Sequence, residues 1–403
     1  MSMPKAVRHI NEIRALDALL KTGPMSRADL ARELSVTRST ASSIVSSLVG
    51  AGFLTEEEPE RTGDKNARTG RPGILINLRP EHAIFIGADI AVGRITIVAL
   101  NLNREPVTSR VIVTKHGRDV EPAAVVDELS AGIRAVLGEL PSVQAVRGIA
   151  VAVPGLIDRY GNVVRAPLLG WKDVALNELL AASLENIEVS KFDNDANAFA
   201  FAHLHSPSLD GPREAVYLLM DAGVGGCVVS DGNILRGASG YAGEIGHMTV
   251  GEEGFASITN VRGSLESFVG RQAVLERFRQ LGGVETDLAG FIAAVDRGDE
   301  PAKSTLLDWA KYLGRACATI TSLLNPERIV LGGAVAALLS RARSELLESM
   351  RENLLQGSHE ALVEVSTMGP EAPATGAALM LHREFFELDP QLVYGATRTS
   401  YVL

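Results

Sequence analysis

Cysteine, long apolar runs and net positive charge are all in short supply in this chain of 403 residues. Its two cysteines, Cys227 and Cys317, lie far apart and give no disulfide framework, which fits a reducing compartment. Cys227 sits in an apolar run and reads as a small core residue. No stretch of 18 apolar residues is present, nor a charged start followed by an apolar segment. The expectation is a cytoplasmic protein, neither secreted nor membrane-spanning. A net charge of −10 argues at first against nucleic acid. The charge is uneven, however. Residues 1–80 hold 12 Lys and Arg against 9 Asp and Glu, a net +3, so the remainder holds 27 against 40, a net −13. Phosphates would repel the acidic body and accept only the small basic end.

What is abundant is apolar material, at 46%. Together with the length it implies two or three domains. Ile10, Ile13, Leu16 and Leu20 follow helical spacing, so residues 5–21 read as a first helix ended by Gly23-Pro24. Ser26 with Asp29 forms a capping-box-like start for a second helix carrying Leu30 and Leu34. After a turn at Ser35-Val36, Thr37 caps a third helix. Its buried side reads as Ala41, Ile44, Leu48 and Val49, and its opposite face as Arg38, Ser39, Thr40, Ser42, Ser43 and Ser46. Two short helices, the second with small polar residues near its start, read as a helix-turn-helix; the bland alternative is a three-helix bundle with a solvated Ser/Thr face. Small residues bring the backbone close to a groove floor, and Arg38 can reach a guanine edge or a phosphate. Strands at Gly52-Phe53-Leu54 and at 74–78 frame a long loop with Arg61, Lys65, Arg68 and Arg71, which makes a winged module. The wing tip, Arg68-Thr69-Gly70-Arg71-Pro72, resembles an AT-hook, narrow enough to enter an A·T-rich minor groove. The run Glu56–Glu60 reads as a solvated wing base.

Past Pro80 the pattern becomes strand-like, with runs at 83–88, 94–102 and 107–113, a helix at 121–140 and a buried strand at 148–153 ending in Pro154-Gly155. A second copy begins at Ala215–Met220, which implies two related lobes. The constellation Asp193-Asn194-Asp195-Ala196-Asn197, Asp221-Ala222-Gly223-Val224-Gly225-Gly226, Gly243-Glu244-Ile245-Gly246-His247-Met248 and Gly263-Ser264-Leu265-Glu266 resembles the ROK family of sugar kinases and sugar-responsive repressors. The resemblance covers about residues 81–385. It implies an α/β fold, a winged helix-turn-helix followed by a two-lobed actin-like sugar-kinase fold. The divisions expected are 1–80 for the DNA-binding domain, 81–190 for lobe one with 372–390 packing back on it, and 191–371 for lobe two.

The resemblance also assigns roles. Asn194, Asp195, Glu244, His247 and Glu266 match the family's sugar contacts, and Asp195 occupies the position of the catalytic base in the kinases. Hydroxyl-rich ligands need such a ring of fixed donors and acceptors. The phosphate side departs from the pattern. Where kinases carry Asp-Ile-Gly-Gly-Thr-Lys, this chain has Asp89-Ile90-Ala91-Val92-Gly93-Arg94, and Gly-Thr-Gly-Ile-Gly-Gly has become Asp221 to Gly226. Asp221 would add repulsion of about 1–3 kcal/mol beside a triphosphate. Gly332-Gly333 matches the adenosine turn, and Pro154-Gly155 and Gly170-Trp171 match segments near the pocket. The family's zinc is held by the pocket histidine and three cysteines; here the cysteine positions are Ser257, Thr259 and Ser264, so no zinc is expected, and with both phosphate turns altered no ATP is expected either; no residue is assigned to metal or catalysis. Without zinc, the loop 251–264 is expected to be more mobile than in zinc-bearing relatives.

The reading is a sugar-responsive regulator, a repressor of carbohydrate-metabolism genes and not an enzyme. Its partners would be a palindromic duplex operator, a small sugar and further copies of itself as dimer or tetramer. Two rivals remain: an active ATP-dependent sugar kinase with an appended DNA-binding domain, opposed by the altered turns, and a ligand-independent DNA-binding protein, opposed by the five sugar-facing residues. The wing tip generates a direct test. Replacing Arg68 and Arg71 with Ala should abolish any preference for A·T over G·C flanks beside the half-sites, read by anisotropy titration at fixed salt; a wild type indifferent to the flank swap contradicts the AT-hook reading.

Overall fold

The computed structural model describes residues 3–57, 74–114, 120–158, 160–184, 189–205, 211–256 and 261–387. The N-terminal module contains α1 (Met3–Thr22), β1 (Met25–Ser26), α2 (Arg27–Glu33), α3 (Arg38–Gly50), β2 (Leu54–Glu57) and β3 (Leu75–Leu78). A reciprocal capping box between Ser26 and Asp29 starts α2, and Thr37 Oγ1 accepts from Thr40 N to start α3. Between them Ser35 adopts φ +54°, the tight turn that aims one helix across the other. The strands pair in the order β1-β3-β2. Leu16, Leu19, Leu30, Ile44, Val45 and Leu48 fill the core under them. Val49, expected inside, is 37% exposed, and Val45 takes its place. Ala41, Ile44, Val45 and Leu48 form the i, i+3, i+4, i+7 stripe, which leaves Val49 at its edge.

Lobe one comprises β4 (Ile84–Ala91), β5 (Arg94–Leu100), β6 (Pro106–Val113), α4 (Pro122–Glu139), β7 (Val146–Val153), a small sheet of β8 (Leu156–Ile157), β9 (Val163–Ala166) and β10 (Trp171–Val174), then α5 (Leu176–Ser183), β11 (Val189–Asn194) and α6 (Asp195–His205). Lobe two comprises β12 (Ala215–Met220), β13 (Val224–Ser230), β14 (Asn233–Ile234), α7 (Glu266–Val269), α8 (Arg271–Gln280), α9 (Leu288–Arg297), α10 (Glu300–Leu324), β15 (Arg328–Gly332), α11 (Leu339–Glu352) and β16 (Leu362–Val365); α12 (Ala372–Phe386) follows. The main sheets run β6-β5-β4-β7-β11 and β14-β13-β12-β15-β16. In each, an antiparallel meander is extended by two parallel strands, so the duplication inferred from the strand pattern is present in the topology.

The lobe boundary drawn at 190/191 is corrected. β11 pairs in parallel with β7, so residues up to Asn194 complete the first sheet. α6 and α12 then form a layer between the sheets. α12 packs on lobe one through Ala374, Ala377 and Ala378, while Phe199 and Ala202 of α6 join Tyr217, Cys227 and Val330 of lobe two. The layer is close enough to demand glycine. A Cβ on Gly376 would lie 1.8 Å from the Ala198 carbonyl oxygen, and one on Gly87 would lie 1.9 Å from that of Ala374.

α12 also reaches the DNA-binding module. The Phe53 ring, at the base of the wing, meets His82 edge-on at 4.6 Å and Phe385 at 5.9 Å, with the Arg147 guanidinium 5.5 Å above it. Phe385 in turn contacts Phe85 and Phe386. Module and body therefore share one apolar joint. Because the glycine contact fixes α6 on α12, Gly376→Ala should destabilise the chain by about 1–3 kcal/mol in urea unfolding. A loss under about 0.5 kcal/mol, the range of a surface change, would show that the two helices separate freely.

Candidate ligand cleft and DNA-binding face

The exposed face of α3 is built by its cap. Thr37 Oγ1 lies 2.9 Å from both the Ser39 and Thr40 hydroxyls, which fixes the first turn. Arg38 is exposed and makes no hydrogen bond within the described residues. Ser39 and Ser43 are exposed beside it, with Thr40 and Ser42 half-buried. Arg27 braces this helix from α2, donating to the Ser42 carbonyl at 3.2 Å and to Glu56 at 2.7 Å. Glu56 is thus an ion-pair partner rather than only a solvated charge. Arg68, Gly70 and Arg71 lie outside the described residues.

Between the lobes lies a cavity of about 400 Å³, lined by Asn194, Asp195, Glu244, His247 and Glu266 together with both altered turns. All five expected sugar contacts therefore face one space. Their local bonds differ. Asn194 caps α6, its Oδ1 accepting from Ala196 N at 2.9 Å and Asn197 N at 3.3 Å, and its Nδ2 donates to the Gly155 carbonyl at 3.1 Å. Much of its capacity is already spent on shaping the wall. Asp195 opens α6 and accepts from Ala196 N at 2.9 Å. Glu266 is buried and accepts from Val224 N at 3.1 Å. Its carboxylate fills the space where a Cβ on Gly223 would go, so it shapes the turn at 221–226 as well as facing the cavity. Glu244 Oε2 lies 3.5 Å from His247 Nε2, while the buried His247 Nδ1 has no partner among the described residues. Pro154-Gly155 line the cavity as expected, whereas Trp171 is buried and donates to the Val120 carbonyl at 2.8 Å. Pro167 and Leu168 line the cavity in its stead.

Ala91, Val92 and Ala222, from the turns at 89–94 and 221–226, line the cavity. Asp221 is only partly an unopposed charge, since Arg271 Nη1 stands 3.3 Å from it; that partner was not read from the sequence. Asp89 is buried with Arg94 4.0 Å away. Burial, then the Asp195 charge, pushes its carboxyl up to about 8. Asp195 is raised to about 7, by burial first and then by Glu244 and Asp221 against its backbone hydrogen bonds. Burial also raises Glu244, opposed by His247.

Of the positions aligned with zinc ligands, Ser257 and Thr259 lie outside the described residues. Ser264 is buried and bridges Thr249. Among the described residues no group of three His, Cys, Asp or Glu side chains could hold a metal. The described ends of this loop are packed: Phe255 meets Phe268 and Tyr312 at 5.2 and 5.8 Å, and Phe255 N donates to the Ser267 carbonyl at 2.8 Å.

The model of the ROK family matches residues 85–384. The chain belongs to the ROK family. Residues 9–63 match the MarR family, whose winged helix the N-terminal module repeats. A putative xylose repressor from Caldicellulosiruptor sp. (strain Rt8B.4) is 27% identical, over 93% of this chain and 96% of its own length. A glucokinase from Halalkalibacterium halodurans is 31% identical over 59% of this chain and 76% of its own. The crystal structure of a ROK family transcriptional regulator, a homolog of the E. coli Mlc protein, superimposes with a TM-score of 0.75 at 24% identity, covering 96% of this chain and 98% of that one. No described helix is long and apolar enough to cross a membrane.

The raised carboxyls give a signed prediction. Asp89 binds more protons folded than unfolded between its ordinary 3.8 and about 8. Stability from its neutral form is therefore present at low pH and lost as pH rises through that window. In thermal melts, the fall in Tm from pH 4.5 to 8 should be smaller in Asp89→Asn than in the wild type; parallel profiles would mean that Asp89 is ionised in the folded cleft.

Proposed function

We propose that this chain is a sugar-responsive DNA-binding transcriptional repressor of carbohydrate-metabolism genes, and that it has no kinase activity. The observation that carries the reading is α12. Its first residues, Ala372 and Pro373, line the cleft, and Phe385 near its end packs in the joint with Phe53. At ~1.5 Å per residue, a helix of 15 residues spans about 22 Å without a hinge. α6 runs beside it from Asp195 to His205, whose Nε2 accepts from Arg383 at 3.1 Å. A ligand that draws the lobes together moves both helix starts and so tilts the wing base. Coupling of this kind requires two arrangements that bind the ligand unequally.

Relatives that match nearly the whole chain and are named repressors support the reading, and because some of them are named xylose repressors, xylose is the first sugar to try. The DNA would be a palindromic operator bound by a homo-oligomer, dimer or tetramer, with Arg38 and the α3 hydroxyls in the major groove. Neither zinc nor ATP takes part in the proposal. Ser264 offers no thiolate, and the cleft meets a triphosphate with carboxylates and few donors.

The test is operator binding by fluorescence anisotropy with and without each of a panel of sugars, beside a coupled assay for ADP release. One sugar should shift operator affinity by about 5- to 150-fold in the wild type, the range of allosteric coupling. Asp195→Ala should lose the sugar response and keep operator binding. Phe385→Ala should keep sugar binding while the shift in operator affinity shrinks. Sugar-dependent ADP release that disappears in Asp195→Ala would overturn the proposal in favour of a kinase.

A further inference from the structure

Beside the interlobe cleft opens a second cavity of about 560 Å³, which shares Gly155, Asn194 and Glu244 with the first. The sensing reading leaves it unused. Its walls come from both lobes and both are braced. On the lobe-one side, the tip between β8 and β9 is tied by Asp158, whose Oδ1 accepts from Tyr160 N at 2.8 Å and Asn162 N at 2.9 Å, and whose Oδ2 accepts from Asn162 Nδ2 at 2.9 Å. Gly161 turns there at φ +82°, packed so that a Cβ would strike the Phe192 ring. The tip presents Tyr160, 63% exposed, along the cavity wall.

On the lobe-two side, the loop from Arg236 to Ala242 closes on itself by an Ala242 N to Arg236 carbonyl bond of 3.1 Å. Arg236 donates twice to Asp193 of β11, at 2.7 and 2.6 Å, and Asn197 Nδ2 donates to the same carboxylate at 2.9 Å. This pair crosses from one lobe to the other and anchors the loop that brings Tyr241 into the same lining as Tyr160.

The chemistry of these walls is specific. Two tyrosines supply flat apolar faces with polar tips, and backbone and amide groups supply fixed hydrogen-bond partners between them. Arg236 is the one basic side chain among the described lining residues, and Asp193 already satisfies it in bidentate fashion. Among the described residues, a phosphate or sulfate therefore finds no free cation there. A neutral ring with an apolar face and hydroxyl edges finds both of its needs met. The shared residues place such a ring next to one held by Asn194 and Glu244. We infer that the second cavity is a subsite for a second sugar ring, and that the effector is a disaccharide or longer glycoside whose terminal ring occupies the interlobe cleft. The inference rests on the reading of that cleft as the sugar site.

Calorimetric titration of the full chain with matched pairs tests it: xylose against xylobiose, glucose against cellobiose and maltose, galactose against lactose. At least one disaccharide should bind about 10-fold or more tighter than its terminal monosaccharide, a gain of ~1.4 kcal/mol. Tyr160→Ala, and independently Tyr241→Ala, should bring that ratio close to one. A monosaccharide that binds as tightly as every disaccharide containing it, or a ratio that survives both substitutions, overturns the subsite and leaves the sugar sensor standing. Absence of binding by any member of the panel overturns the sensor and the subsite together.

Discussion

The contact between α6 and α12 governs the rest of the molecule. Gly376 of α12 sits against the Ala198 carbonyl of α6, and Gly87 of β4 against the Ala374 carbonyl of α12, so α12 cannot slide along either neighbour without meeting backbone. Packed interiors deform in discrete steps rather than continuously. One face of this helix pair rests on the first sheet and the other on the second, which makes it the layer that both lobes share. The N-terminal ends of the pair also form part of the cleft wall, and its far end carries Phe385 to the wing base. Ligand space, lobe spacing and the pose of α3 therefore depend on a single packing arrangement.

The cleft itself is rich in carboxylates. Asp89, Asp195, Asp221, Glu244 and Glu266 all line it, balanced by Arg94 and, outside the lining, by Arg271. Carboxyls crowded in partly dry surroundings hold on to their protons, as the raised values of Asp89 and Asp195 express. A neutral carboxyl donates as well as accepts, which suits hydroxyls and disfavours anions. The same carboxyls thus leave a wall fit for an uncharged polyol.

How much of this was legible in the sequence depended on the distance over which each feature is encoded. Ser26 with Asp29 and Thr37 with Thr40 act within one turn, and the helix-turn-helix was readable from them. The Glu-x-x-His segment and its neighbours keep fixed spacings, so the cleft residues were readable as a group. Asn194 was readable as a member of the site but not as the cap of α6, because either role needs only an amide at a helix start. Val45 and Val49 are one turn apart, and propensity does not say which lies under β3. Non-local features were out of reach. The pairing of β11 with β7 moved the lobe boundary, and Arg271 reaches Asp221 from a helix whose own pattern gives no hint of it. The aromatic packing of Phe255, Phe268 and Tyr312 joins three segments, so the support of the zinc-loop region could not be inferred from its missing cysteines.

Phe53 and Leu78 pack against the core of the winged module and equally against lobe one with Phe385 and Phe386. This has a consequence for how such proteins recombine. A winged module cut at residue 80 carries away half of a shared aromatic joint and leaves the other half, Phe385 and Phe386 far downstream, facing water. Exchange of DNA-binding heads among relatives would succeed only when the last turn of the C-terminal helix is exchanged with them. Operator choice and the tail of the chain should thus be inherited as a unit, although almost the whole sequence separates them.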